Sequence, residues 1–483
     1  LIRIIREHDT FHLYLYEPGN GEHVQWCALS YCWGGQDQGV KTTIATLPER
    51  LKGIDFRSLP KTLRDAVVTT SRLNLEYIWI DSLCILQDSH EEKTEDITQM
   101  DRIYSHAYIT ISASSASSVT EGFLDHRQMP QSMTPISMRY LTRSGVESNL
   151  LVCAEPTPRD IEDPINTRGW TFQERVLSPR LIDFSTTQVR WRCQSLQATE
   201  AGCPAESVWA NYFATSFIVS ASNPLRSEGK DDEREWSHLV SAYSSRNLTY
   251  GSDKLIAFSA IPQALGRAGQ YLAGLWEIDL PCNLLWKVVH DWSPASGTTD
   301  KRKPRPREYR APSWSWASVD GDIRCDNSTM ESKAAISACH VLDIHTQLSD
   351  TRAPFGGVVS GYLLIQGFTS QAKFLPAAGQ LFFVDEGTAK KDQEHTEPEY
   401  GAFADCLPDK QIHMEEGQEE EVGVVCLHIR NYGGRGEGLI LVEDANESVF
   451  RRIGHFYWSE YDNDSKFISS TFQHAEETLL KIV

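Results

Sequence analysis

Trp170 and Glu174 stand four residues apart in Arg168-Gly169-Trp170-Thr171-Phe172-Gln173-Glu174-Arg175, a spacing that puts both side chains on one face if the segment is helical. An indole beside a fixed carboxylate suits a reaction in which positive charge grows on a bound sugar, because one ionised oxygen pair stabilises an oxocarbenium-like transition state. The same residues have a plainer use. Thr171-x-x-Glu174 has the form of a capping box, in which the glutamate satisfies backbone donors at a helix start, and Arg168 or Arg175 could hold it in a structural ion pair. On spacing alone both readings of Glu174 stand.

Asp81 closes the apolar run Tyr77-Ile78-Trp79-Ile80, a place where polar residues serve ligands in open α/β sheets; its plainer role is to cap a turn at Ser82. Asp88 is expected to cap the helix that follows it. Ser30 and the turn Cys32-Trp33-Gly34-Gly35 would form one wall of a ligand pocket, with Trp33 free to stack on a planar ring. Cys32 and Cys84, also at strand ends, are candidate nucleophiles. No histidine is near Cys32 in sequence to activate it, however, and single cysteines beside apolar residues serve packing first. His106, between Tyr104 and Tyr108, reads as a structural histidine. The cysteines form no CxxC pair and no zinc-ligand spacing, so no metal is expected.

The elements that must position these residues alternate along the N-terminal part. Gln25 to Tyr31 reads as a buried strand. Pro60 then opens a helix whose stripe is Leu63, Ala66, Val67, Thr70 and Leu73, with Asn74 as its stop. Tyr77 to Asp81 reads as a strand covered on both faces, Glu91 to Tyr104 as a helix, and Tyr108 to Ala113 as another strand. Strand, helix, strand, helix, strand predicts an α/β domain with a parallel sheet flanked by helices, its ligands beyond the carboxyl ends of the strands. Residues 1–204 are assigned to this domain, with an insertion at about 117–165 that holds a hairpin near Leu150 to Cys153. Residues 205–310 read as mainly helical, including stretches around Val208 to Ser222, Trp236 to Ser245 and Asp253 to Leu265. Residues 311–483 read as β-rich. There Pro312-Ser313-Trp314-Ser315-Trp316-Ala317 alternates in the strand manner, with Trp314 and Trp316 on one packed face. The basic run Lys301 to Arg307 reads as an exposed linker, with a nuclear address as the alternative, and Glu415 to Glu421 as a solvated face.

Composition narrows the function classes. Of 483 residues, 40% are hydrophobic and 23% charged, a globular balance. The formal charge of −20 argues against a nucleic-acid surface, which needs clustered Lys and Arg. The 11 cysteines lie singly, as in a reduced compartment, and no run is apolar and long enough for a membrane helix. Cytoplasmic localisation is therefore expected, with neither nucleic acid nor membrane as partner. The chain starts at Leu rather than Met, which leaves open whether an original N-terminus has been removed.

Five segments occur in the order found in the fungal heterokaryon-incompatibility (HET) family, which this chain resembles: Ala28 to Gly34, Leu59 to Thr62, Trp79 to Asp88, Ile103 to Tyr108, and Arg168 to Arg180. Leu248 to Leu255 and Ala311 to Ala317 also look like segments of full-length members. The resemblance implies a protein of self/non-self recognition and programmed cell death. The HET domain is in turn similar in architecture to the TIR domain, a flavodoxin-like fold. Many TIR domains cleave NAD with a glutamate in a Trp-Cys-x-x-Glu motif, and Trp170 to Glu174 keeps that spacing with Thr171 in place of cysteine. What the resemblance implies is NAD as a substrate rather than a cofactor, hydrolysed at the nicotinamide–ribose bond. Glu174 would be the catalytic carboxylate, with Ser30, Trp33, Gly34, Asp81 and Trp170 about the ligand, in a homo-oligomer that also meets a protein recognition partner. Two rivals remain: a non-enzymatic assembly or partner-binding module in which Glu174 is a cap, and an enzyme of secondary metabolism centred on Cys32 or Asp81.

Overall fold

The computed structural model describes residues 1–8, 10–35, 40–89, 99–125, 136–152, 163–200, 231–289, 303–325, 336–376, 379–383, 401–406, 421–432, 435–444, 446–459, 472 and 475–483. The expected helix at Val208 to Ser222 and the acidic run from Glu415 to Glu420 lie outside them, as do Lys301 and Arg302. The protein is mixed α/β and divides into two compact units, Leu1–Asn223 with Gln263–Leu265, and Pro224–Pro262 with Gly266–Val483. Among the described residues no helix is long and apolar enough to cross a membrane.

The first unit is built on a nine-stranded sheet. Its strands are β1 (Ile2–Glu7), β2 (Thr10–Leu15), β3 (Trp26–Ser30), β4 (Ile54–Asp55), β5 (Tyr77–Trp79), β6 (Ile109–Ser112), β9 (Arg180–Phe184), β10 (Val189–Cys193) and β11 (Gln197–Thr199). Their spatial order is β11-β10-β9-β6-β3-β5-β1-β2-β4. The centre is parallel, with β5, β3, β6 and β9 running the same way. The sheet as a whole is not parallel, which corrects the expectation. Short connections join β1 to β2 and β9 to β10, and such turns permit only antiparallel pairing; both pairs are antiparallel. Counted along the chain, the four parallel strands lie in the order second, first, third, fourth. The direction of winding therefore reverses between β3 and β6.

Helices cover both faces of this centre. Helix α1 (Lys61–Arg72) starts after Pro60, whose missing N–H costs nothing at a helix start, and buries Thr62, Leu63, Ala66, Val67, Thr69 and Thr70. It ends at Asn74, which adopts φ 58°, a left-handed conformation that asparagine tolerates better than most residues. Its apolar stripe packs with Cys27, Leu29, Tyr31, Ile78 and Ile111 from the sheet. The alternate residues of β3 turn to the other face, where Ser30 meets helix α4 (Thr171–Leu177) and Tyr104 of helix α3 (Met100–Ser105) stands edge-on to Trp79. Between β5 and α3 lies the single turn α2 (Asp81–Cys84). The stretch read as an insertion contains a separate hairpin, β7 (Ile136–Leu141) with β8 (Glu147–Val152).

The second unit contains a further nine-stranded sheet, built from strands such as Val358–Leu375, Val422–Tyr432, Arg435–Asp444 and Val449–Ser459. Pairing of Val422–Tyr432 with Val358–Leu375 closes the path of strands on itself. The segment expected as a strand around Trp314 and Trp316 is instead a turn and a short 3-10 helix, Trp316–Ser318. Pro312 supplies no backbone donor to a ladder, and the Ser315 hydroxyl takes the N–H of Ala317 at 3.0 Å. Both indoles are fully buried, and Trp316 donates to the carbonyl of Gly274 at 2.7 Å.

Leu63 is fully buried in the core beneath the sheet. Leu63→Ala should therefore lose roughly 2–5 kcal/mol, read as a lower denaturant midpoint with an unchanged slope.

Candidate functional site

Glu174 is placed by a short helix held at both ends. Before the helix, the Thr171 hydroxyl donates to the carbonyls of Ile165 at 2.7 Å and Arg168 at 3.0 Å. After it, Ser178 donates to the carbonyl of Glu174 at 2.6 Å, sits 2.6 Å from the Thr110 hydroxyl on β6, and is followed by Pro179, which cannot extend the helix. With Trp170 as the N-cap, Glu174 is the fourth helical residue, one past the position from which a capping-box glutamate reaches back. Its side chain goes to the sheet instead. Oε2 accepts the Ser30 hydroxyl at 2.5 Å.

Around this contact gather groups from the carboxyl ends of β3 and β5, from α3 and from the segment before α4. Asp81 opens α2, where its Oδ1 accepts the N–H of Ser82 at 2.6 Å and its Oδ2 accepts the indole N–H of Trp33 at 2.7 Å. Asp81 thus makes the contact at Ser82 expected of a turn cap. Tyr31 donates to the Ser82 hydroxyl at 3.0 Å, Tyr104 to the carbonyl of Leu29 at 3.0 Å, and Arg168 to the carbonyl of Tyr31 at 2.8 Å. Glu174, only 7% exposed, has its carboxyl pushed up to about 7, chiefly by burial and also by the charge of Asp81, against the opposing pull of Ser30, Arg168 and Tyr104. Burial also raises Asp81, opposed by its bonds to Tyr31, Trp33 and Ser82 and by the charge of Arg168.

Gly34 sits at the rim with φ 88°. A side chain there would be strained by the backbone and would also meet Ser118 Cβ at 2.8 Å. Trp170 is half-buried, and the Trp33 indole reaches the carboxylate of Asp81. Arg175 leaves Glu174 and pairs with Asp183 at 3.0 Å, while Arg168 acts on Glu174 through its charge. Cys32 is buried, and burial raises its thiol above the usual range although Arg168 opposes this. The thiol of Cys84 accepts the N–H of Ile80 at 3.4 Å. Neither cysteine is arranged as an activated nucleophile. His106 is exposed at the end of α3 beside Ser105 and Arg102. Asp88 accepts the N–H of Ile44 at 2.9 Å. Among the described residues no group of three His, Cys, Asp or Glu side chains could hold a metal ion.

Residues 26–174 match the family model described as heterokaryon incompatibility protein (HET). The match supports a heterokaryon incompatibility-type protein. The HET segment starts at the first residue of β3 and ends at Glu174 itself, so it contains Ser30, Asp81, Tyr104 and Arg168. No curated protein and no solved structure gives a significant match to the chain. Sequence reasoning on the HET segment passed over Tyr31 and Tyr104 as site residues. Tyr104 had a signal, since its position on the apolar stripe of its helix turns it toward the sheet. Nothing in the sequence announced that its hydroxyl would lie near Glu174.

Because burial raises the Glu174 carboxyl, its protonated form is the better tolerated one in the folded protein, and the stability this group contributes is lost as pH rises from the ordinary carboxylate range through about 7. Glu174→Gln should accordingly gain stability relative to the parent on going from pH 4 to pH 8, by roughly 2–3 kcal/mol. Urea unfolding at the two pH values checks this; a difference that does not change with pH would mean that the carboxyl is not desolvated.

Proposed function

We propose that the HET segment hydrolyses NAD at the nicotinamide–ribose bond, with Glu174 as the carboxylate that stabilises the charge developing on the ribose. The HET match suggests a role in incompatibility and cell death in a fungal context, and loss of NAD is a direct way to kill a cell. One observation carries the reading. A carboxyl from a short helix crosses to Ser30 at the carboxyl end of β3, where the strand order reverses, and ligands of doubly wound sheets bind at such reversals. The order second, first, third, fourth is also that of the flavodoxin-like class, which favours a TIR-like core.

The chemistry asks little beyond placement. Nicotinamide leaves as a neutral ring without a strong general acid, while the ribose passes through an oxocarbenium-like state. An ionised Glu174 beside Ser30 would hold that charge, and Trp33, fixed by Asp81, would stack on the leaving ring. Gly34 keeps the rim low, and Trp170 bounds the helix side. NAD serves here as substrate, and no cofactor is called for. A second reading is favoured by the β7–β8 hairpin, on which Ile136 (68% exposed), Met138 (55%) and Tyr140 (48%) alternate on one face. That reading is assembly with a second copy or a recognition partner in the cytoplasm, and it is compatible with catalysis.

Purified full-length protein incubated with NAD should release nicotinamide, quantified chromatographically, and Glu174→Gln should lower the rate by about 10²–10³-fold. The rate should rise with pH through about 7 as Glu174 ionises. Equal release by parent and variant would remove Glu174 from the chemistry, and no release by either would leave assembly through the hairpin as the function.

A further inference from the structure

The two downstream segments singled out in the sequence, Leu248 to Leu255 and Ala311 to Ala317, converge in the second unit. Buried Lys254 donates to the carbonyl of Val319 at 2.7 Å, Phe258 and Tyr243 pack edge-on against Trp316 at 5.6 and 6.0 Å, and Arg310 donates through Nε to the carbonyl of Ala317 at 2.6 Å. Beside this packing is a cleft of about 300 Å³ lined by residues 251–252, 306–310 and 320, among them Arg307, Glu308, Arg310 and Asp320. Such a volume accommodates a small ligand.

Arg310 is the informative residue. It is only 8% exposed, and its Nη2 is held by Asp320 at 2.7 Å. With Nε also taken, Nη1 is the guanidinium nitrogen that has no hydrogen-bond partner among the described residues, although Arg310 lines the cleft. Gly251 lies over it. A Cβ at that glycine would stand 3.1 Å from Nη1, so the absent side chain keeps the nitrogen accessible. A buried guanidinium with a spare donor facing a cleft is a standing demand for an anion. Arg307 and Ser252 add donors that bond to nothing else among the described residues, and the Tyr309 hydroxyl, which burial pushes up to about 12, remains protonated and able to donate.

The Asp320 carboxylate does not oppose an anion there. Asp320 is already neutralised by Arg310 at 2.7 Å and Lys254 at 3.5 Å, and Lys303 also acts on it. The remaining charged lining residues are Arg307 and Glu308, and burial lowers Lys254 to about 7, so that Arg310 is the main counter-charge of Asp320.

We propose that this cleft binds the phosphate group of a small molecule, with Arg310 Nη1 and Arg307 as its charged donors and Ser252 and Tyr309 as its neutral ones. The site lies in the second unit and does not depend on the chemistry of Glu174. The basic run that looked like a linker or a nuclear address thus supplies part of a ligand site: Arg307 lines the cleft, and Arg305 donates to the carbonyl of Arg452 at 2.9 Å.

Titration calorimetry of the full chain at constant ionic strength tests the proposal, with inorganic phosphate in one arm and a nucleoside monophosphate in the other. Saturable binding in either arm is expected, tighter with the monophosphate if the natural ligand is a phosphomonoester. Arg307→Ala and Gly251→Ala should each weaken it fivefold or more, and Glu308→Gln should tighten it. Arg307 and Glu308 are exposed, and Gly251 has no positive φ, so these variants spare the fold where Arg310→Ala would strip its bonds to Ala317 and Asp320. No saturable binding in either arm, or binding unchanged in both Arg307→Ala and Gly251→Ala, overturns the proposal.

Discussion

Two carboxyl groups and one guanidinium share the carboxyl edge of the HET sheet, and the arrangement of the first unit follows from keeping them there. Burial raises both Glu174 and Asp81, the charge of Asp81 raises Glu174 further, and Arg168 offsets both. Full ionisation of the pair would leave one uncompensated negative charge in a poorly solvated place. The protein meets this by giving Asp81 two donors, the N–H of Ser82 and the indole N–H of Trp33, while Glu174 takes the Ser30 hydroxyl. The better-bonded carboxyl is thereby the natural holder of the charge, and Glu174 is left near its titration point at neutral pH. A group so poised changes its charge in response to whatever enters beside it.

The surrounding fold supplies the donors by strand order. Parallel strands bring Ser30, Asp81 and Ser112 to one edge because all their carboxyl ends point the same way. A neighbouring network at the same edge anchors the helix separately: Asp183 accepts the Ser114 hydroxyl, pairs with Arg175, and has Arg190 at 3.7 Å. Burial alone would raise Asp183, but the two arginines outweigh it and hold the carboxyl below its usual range. Consecutive residues Glu174 and Arg175 therefore bind different partners on the sheet. The first is a labile acid and the second a permanent charge against a permanent counter-charge.

Much of this is legible in the sequence. The apolar runs at β3, β5 and β6 and the stripe of α1 marked an alternating α/β unit, because buried parallel strands and amphipathic helices have distinct periods. The position of Asp81 at a strand end was legible for the same reason. What failed was long-range. Antiparallel additions at both sides of the sheet depend on how short turns dock, which no local period records. Thr171-x-x-Glu174 is a capping box only if Thr171 is the N-cap; with Trp170 as N-cap the glutamate faces Ser30, 144 positions earlier in the chain. The Trp314–Trp316 alternation imitated a strand, and only the Ser315 cap and the hydrogen bond from Trp316 to Gly274 reveal the turn. Arg310 carried no local signal, since its significance lies in a nitrogen left over after folding.

The clamps on the Glu174 helix have a further consequence for how such a chain can diversify. Ser178 to Thr110, Arg175 to Asp183 and Glu174 to Ser30 fasten the helix to three different strands or strand ends, and Thr171 ties its start to Ile165 and Arg168, so its orientation does not rest on the β7–β8 hairpin. Among the described strands that hairpin pairs only with itself. Its length and surface can drift between lineages, and a new specificity can be written there, while the carboxyl group stays in register with the strand it faces.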